Sequence, residues 1–273
     1  MKPRDLRVTG LLNDAQELAS AVAAPWMGVL WLTALPLRLL QVHFADTLLQ
    51  LGSEAEHYGR YLGELSLAVG LAWLLSLYGR AVYAGACHRR MSSGRSPGWA
   101  ALRVAPGKLL NYVHVSLWIE LLLLTLAYTV VMIPLCILLA GLAAASCDAM
   151  ARPRLVQPFS TVIRFGNRPM LLLGLLAIFG IAWVVAAVNL LALFQLLLWL
   201  SGGFAGLETG PWTVLLSPFH RRFLLLLMAG ATLIVEPFWL ATNVVFVRRH
   251  QARKSGEDLR GWLAELRLQG ALP

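Results

Sequence analysis

Residues 170–201 read MLLLGLLAIFGIAWVVAAVNLLALFQLLLWLS, a stretch without one charged side chain. About 20 apolar residues suffice to cross the hydrocarbon core of a bilayer as a helix, and this run is longer. Similar runs recur along the chain, with short arginine-rich loops between them. The pattern predicts an all-α polytopic transmembrane helix bundle of about six crossings, with short amphipathic interfacial helices.

The composition points the same way. The chain is 58% hydrophobic and 14% charged, whereas soluble domains average roughly 45–50% apolar and about 25% charged. A soluble fold has no place for so much apolar surface. The net charge of +9 raises nucleic acid as a partner, but its distribution argues against that. Of the 23 Lys and Arg, 18 fall in residues 1–22, 85–108, 148–169 and 248–273. Short cytoplasmic loops accumulate these residues in polytopic proteins. The expected partners are therefore a bilayer with anionic headgroups and other membrane or cytoplasmic proteins, not nucleic acid.

Residues 1–22 are basic and then amphipathic, unlike a signal peptide with its apolar centre and cleavage site. They are expected to stay cytoplasmic. Residues 23–247 form the expected bundle. The first crossing covers about 24–42, with Trp26 at an interface belt, Pro36 as a source of a kink and Arg38 snorkelling from the far end. The segment HFADTLLQLGSEAEHYGR, with Asp46, Glu54 and Glu56, reads as an outer loop. A second crossing, about 61–84, follows, with Arg80 snorkelling to the inner side. Residues 111–147 carry one charge, Glu120. One straight helix of that length would span about 55 Å, against a core of about 30 Å. Basic loops flank both ends, so a hairpin reversing between Tyr128 and Pro134 fits, with a re-entrant segment broken at Pro134 as the alternative. Single crossings at 170–201 and about 223–247 complete the count, and both termini are cytoplasmic. The tail, 248–273, is basic. Ser255 and Asp258 resemble a capping box, and Leu259, Trp262, Leu263 and Leu266 share one helical face.

Three segments repeat a pattern: WAALRVAPGK (99–108), FSTVIRFGNR (159–168) and WTVLLSPFHR (212–221). Each opens on an aromatic residue, continues mostly apolar and reaches a base nine residues on, just before a long apolar helix. This reads as an interfacial helix, a break, and a basic anchor at headgroup level.

Charged residues inside a bilayer cost about 2.5–3.5 kcal/mol on insertion scales. Glu120 and Glu236, the latter followed by Pro237, therefore stand out. With His114, Asn189 and Asn243 they form a candidate intramembrane polar site. They either line a cavity for a proton, a cation or a cationic headgroup, or pair within the bundle. Arg89, Arg90, Lys108, Arg164, Arg168, Arg248, Arg249 and Trp262 are candidate contacts to lipid headgroups or a partner. The spacing of Cys87, Cys136 and Cys147 fits no zinc or redox motif, and they are expected to be reduced and unpaired. No nucleophile elbow or phosphate loop is present. No catalytic residue, metal site or cofactor is expected, and the chain does not read as an enzyme.

Four segments carry a resemblance: LPLRLLQVHFADTLLQLGSEAEHYGRYLG, GGFAGLETG, the Glu236-Pro237 pair, and RKSGEDLRGWLAELR, in which Ser255–Arg260 is the most specific. In these the chain resembles a family of bacterial polytopic membrane proteins of uncharacterised activity. It is more loosely similar to the membrane domain attached to some glycerophosphodiester phosphodiesterases, whose catalytic barrel it lacks. Genes for the family tend to lie near those of MoxR-type ATPases and transglutaminase-like proteins. The resemblance implies a bacterial inner-membrane location and a part in a cell-envelope assembly. The leading expectation is a non-enzymatic subunit or scaffold of an inner-membrane complex. The alternative is a transporter or lipid-handling protein that uses its intramembrane carboxylates.

Overall fold

The computed structural model describes residues 8–51, 59–94, 98–127, 146–148, 169–204, 206, 210–217 and 219–256. Among these the structure is all helical. Helix α1 covers Val8–Leu51, α2 Gly59–Ser93, α3 Pro106–Ala127, α4 Pro169–Gly203, α5 Gly210–Leu215 and α6 Arg221–Ser255. A 3₁₀ turn, Trp99–Leu102, precedes α3.

Among the described residues four helical segments are long and apolar enough to cross a membrane: Pro25–Leu48, Gly59–Ser93, Met170–Gly203 and Arg221–Arg253. This points to a membrane location. The segment in α4, which contains the charge-free run, is both the most apolar and the least buried of the four. Residues 128–145 lie outside the described residues, and so does any reversal between Tyr128 and Pro134. The six-crossing count thus goes beyond the four segments found.

Local rules account for the helix boundaries. α3 and α4 both start at a proline, which fits the first helical position because its missing N–H has no partner there anyway. α2 ends at Gly94, at φ 67°, whose N–H returns to the Arg90 carbonyl over 3.0 Å. Only glycine takes that left-handed conformation without a Cβ penalty. The Arg90 Nη1 also donates to the Gly94 carbonyl at 2.6 Å. Arg90 therefore caps its own helix. α6 ends the same way, with Gly256 at φ 69°.

Two compact units divide the chain. One comprises Met1–Trp26, Ala81–Ala177 and Phe238–Pro273; the other comprises Met27–Arg80 and Ile178–Pro237. In the first, α1 buries Leu11, Ala15, Leu18, Val22 and Trp26, spaced three or four residues apart on one face. α2 and α6 are enclosed on all sides there: Ala81 to Ala84 and Ala241 to Val247 are all buried. Trp26 is 3% exposed and packs against Trp99, ring centroids 6.3 Å apart. It is a core residue of this unit and not the interface anchor expected from the sequence.

The second unit is thinner. α1 buries Leu30, Ala34 and Leu37, and α6 buries Phe223, Leu227 and Ala231, while α2 exposes Leu67, Leu71, Leu74 and Leu75. α4 has no fully buried position from Ile178 to Gly203. Its contacts are specific instead. The Trp183 Nε1 donates to Thr232 Oγ1 at 3.1 Å, and Phe194 meets Phe223 edge-on at 5.6 Å. A Cβ on Gly230 would approach Leu190 Cδ1 to 3.0 Å. α1 and α2 approach closely at Gly79, where an added Cβ would collide with the Thr33 side chain. Only glycine permits that approach.

Two sequence expectations are corrected. Residues 43–51 are not an outer loop: α1 continues through them to Leu51. Ser255 does not cap a tail helix. It is the last residue of α6, and its hydroxyl donates to the Ala252 carbonyl at 3.2 Å. Residues 257–273, with Trp262, lie outside the described residues.

The repeat gains a structural basis at two of its three sites. Trp99–Leu102 form a helical turn, a break follows, and α3 begins at Pro106. In the same way α5 ends at Leu215 and α6 begins at Arg221. Residues 159–168 lie outside the described residues.

Candidate functional site

Proline 237 lies within α6 and has no N–H to give to the carbonyl four residues back, at Leu233. An unsatisfied carbonyl in a bilayer is costly. The indole Nε1 of Trp31, on α1, donates to that carbonyl at 2.8 Å. An indole from one helix thus replaces the donor that proline removes from another.

Beside this bond stands Glu236, 8% exposed. The Arg80 Nε donates to its Oε1, and Arg38 Nη2 lies 3.7 Å from its Oε2. The two arginine side chains are themselves only 18% and 20% exposed. Three helices, α1, α2 and α6, thus converge on one carboxylate. Neither arginine behaves as the sequence suggested. Snorkelling would take each guanidinium to an interface, whereas a buried carboxylate within reach offers a charge-assisted bond in a low dielectric. The Arg38 Nη1 also donates to Gln41 Oε1 at 3.0 Å.

A second ion cluster joins α1 to the start of α6. Asp46, 3% exposed, accepts from Arg221 Nε at 2.9 Å, from Arg221 Nη2 at 2.5 Å and from Arg222 Nε at 2.5 Å. Asp46, in the segment that the sequence reads as an outer loop, is a buried inter-helix contact instead. Its signal is visible in hindsight, since it occupies the core face of a helix that continues past residue 42.

The other unit gathers positive charge differently. His88, Arg89 and Ser92 near the end of α2, Arg103 and Lys108 around the start of α3, and Arg248 on α6 line one cavity of about 340 Å³. Among the described residues no acidic side chain lines it. The α3 N-terminus opens on this cavity through Ala105 and Lys108. The aligned peptide dipoles of α3 add partial positive charge there. The His88 Nε2 lies 3.0 Å from the Cys147 carbonyl, which ties one wall to residues 146–148. The neighbour of Arg248 turns elsewhere: Arg249 pairs with Asp14 and reaches the Gly10 carbonyl at 3.3 Å.

Of the candidate headgroup contacts, Arg89, Lys108 and Arg248 come together in this cavity. Arg90 caps α2 and Arg249 holds α1, while Arg164, Arg168 and Trp262 lie outside the described residues. Arg103 and His88 were missed. Arg103 stood in the repeat segment 99–108, but its convergence with α2 and α6 is a tertiary fact. Of the candidate intramembrane polar residues, Glu236 is clamped as described. Asn243 is buried and donates to the Trp239 carbonyl at 2.8 Å. His114 packs edge-on to Trp118 at 6.5 Å. Glu120 is half-buried on α3, and Asn189 is exposed on α4. Cys87 and Cys147 are buried and free, and Cys136 lies outside the described residues. Among the described residues no three His, Cys, Asp or Glu side chains gather as a metal site would require.

Comparison with known proteins finds no matching family, no similar curated protein and no similar solved structure.

Proposed function

We propose that the chain is a non-enzymatic subunit or scaffold of a cell-envelope complex in the bacterial inner membrane. It crosses the bilayer six times with both termini cytoplasmic. Two of these crossings belong to the stretch 111–147, which reverses between Tyr128 and Pro134. The support for this topology is the clustering of Lys and Arg in residues 1–22, 85–108, 148–169 and 248–273. Membership of the bacterial family that the sequence resembles belongs to the same proposal.

The observation that carries the scaffold reading is the engagement of Glu236 by Arg38 and Arg80. A carboxylate that moves a proton or a cation must release its partners in every cycle. Releasing Glu236 would leave two largely buried guanidinium groups without their shared counter-charge, at a cost of several kcal/mol. An inter-helix clamp uses the same geometry without that cost. This favours architecture over transport for the intramembrane carboxylate.

Crosslinking in cells, followed by gentle extraction and mass measurement, tests the reading. The expected result is a defined complex in which one membrane or cytoplasmic protein recurs at fixed stoichiometry. A monomer with no recurrent crosslinked protein would overturn it. The topology has its own check in single cysteines placed at Ser92 and Thr213. The first should react with an impermeant thiol reagent only from the cytoplasmic side, and the second only from the outer side.

A further inference from the structure

We propose that the exposed side of α4 is an interface with a second copy of this chain, joined at mid-membrane by a hydrogen bond between the two Asn189 side chains. α4 holds its own unit through one face, where Trp183 bonds to Thr232, Leu190 lies against Gly230 and Phe194 meets Phe223. An α-helix turns about 100° per residue. Asn189 therefore projects about 100–140° away from those three contacts, and it is exposed. Among the described residues nothing hydrogen-bonds its carboxamide. In contrast, Gln195 on the same helix donates to the Leu216 carbonyl at 2.9 Å, and Asn243 donates to the Trp239 carbonyl at 2.8 Å.

A carboxamide that faces hydrocarbon leaves its N–H donors and its carbonyl acceptor unsatisfied. Polar side chains of spanning helices accordingly face a bundle interior or another helix, and Asn is among those that bond across helices. The surface around Asn189 has the form such a contact takes. Ile178, Val185, Asn189, Ala192, Leu196 and Trp199 are all exposed. With Ala182 between the first two, they follow one another in alternating steps of four and three residues. This is the heptad spacing of a left-handed helix pair, in which a single Asn on the seam fixes register and oligomeric state. The small side chains of Ala182 and Ala192 let two backbones approach closely. From Ile178 to Trp199 the seam runs about 32 Å, near the hydrocarbon thickness of about 30 Å. Asn189 falls at its middle.

Complementarity selects the occupant. Copies of one chain share a membrane orientation, set by the distribution of Lys and Arg. A twofold axis along the membrane normal then brings each seam residue opposite its own counterpart at the same depth. A carboxamide both donates and accepts, so Asn189 complements Asn189. Any other partner would need a polar group of its own at that depth within an otherwise apolar face. The seam asks for no counter-charge, because residues 170–201 carry none. The interface requires α4 to span a membrane and does not depend on the scaffold reading.

Energy transfer between donor-labelled and acceptor-labelled full chains in liposomes, followed as lipid is added, provides the test. The expected result is transfer that falls reversibly on dilution and fits two copies per assembly. Asn189→Leu should weaken association roughly tenfold, the scale of one hydrogen bond between helices in a membrane. Leu71→Ala, on an exposed face of α2, should leave association unchanged. Oxidative crosslinking offers a check that keeps Asn189 in place. Leu196→Cys, on the seam, should join two copies. Val184→Cys, exposed about 120° round the helix from Leu196, should not exceed the wild-type background. A wild-type chain that does not self-associate, or an Asn189→Leu chain that associates as the wild type does, would overturn the proposal. So would Leu196→Cys crosslinking in cells to a different protein and never to a second copy. That last result would support the scaffold reading while removing this interface, so the two fail separately.

Discussion

In the unit formed by Met27–Arg80 and Ile178–Pro237, Arg38 and Arg80 turn toward Glu236, and Arg221 and Arg222 turn toward Asp46. In the other unit, Arg249 pairs with Asp14, while Arg89, Arg103, Lys108 and Arg248 line one cavity. The two units also pack differently. The first exposes apolar side chains along α2 and α4, and the second encloses α2 and α6 on all sides. These differences belong together. Where helices have few apolar contacts, ion pairs and single hydrogen bonds fix their positions. Where apolar packing is complete, charged contacts such as that of Arg249 with Asp14 add to it.

The comparison can be broken at the clamp first. Replacing Glu236→Gln removes the counter-charge of two partly buried guanidinium groups. A loss of about 3–5 kcal/mol is expected, as for one member of a buried pair, read from the unfolding midpoint in detergent. Gly79→Ala comes next. Its Cβ would collide with Thr33, and overpacking of that kind costs about 1–3 kcal/mol. Adding Thr33→Ala should recover part of the loss.

A smaller effect tests the proline substitution chemistry. Trp31→Phe should cost about 1 kcal/mol through the lost bond to the Leu233 carbonyl. In a Pro237→Ala background the restored backbone N–H serves that carbonyl, so the same change should cost much less. A double-mutant cycle measures the difference. The smallest effect lies on the surface. Arg60 and Glu64 are 94% and 66% exposed, and Arg60→Gln should change the midpoint by no more than a few tenths of a kcal/mol. A loss there as large as at Glu236 would erase the distinction between clamps and surface pairs.

Much of the fold was legible because hydropathy is a local property. The runs within 24–42, 61–84, 170–201 and 223–247 each fall inside a long helix. The clamps were not legible for the opposite reason. Arg38 and Arg80 are separated from Glu236 by most of the chain, and an arginine near a helix end looks the same whether it snorkels or pairs. One clue was available. Pro237 strands the Leu233 carbonyl, so some donor had to reach it, but nothing local names Trp31 as that donor. Asp46 stands among other acids, which suggests a loop, whereas α1 continues through it and turns it inward. Lys108, Arg89 and Arg248 were picked out as headgroup contacts from charge alone. Their convergence, with Arg103 and His88, depends on how α2, the start of α3 and α6 pack.

The clamp is tested most directly by comparing the unfolding midpoints of E236Q and the triple variant R38M/R80M/E236M. Apolar residues of similar size replace a buried ion cluster at little cost, whereas one missing charge does not. The triple variant should therefore recover to within about 1 kcal/mol of the wild type, while E236Q stays well below it. An E236Q chain that unfolds at the wild-type midpoint would contradict the clamp, and with it the preference for a scaffold over a transporter.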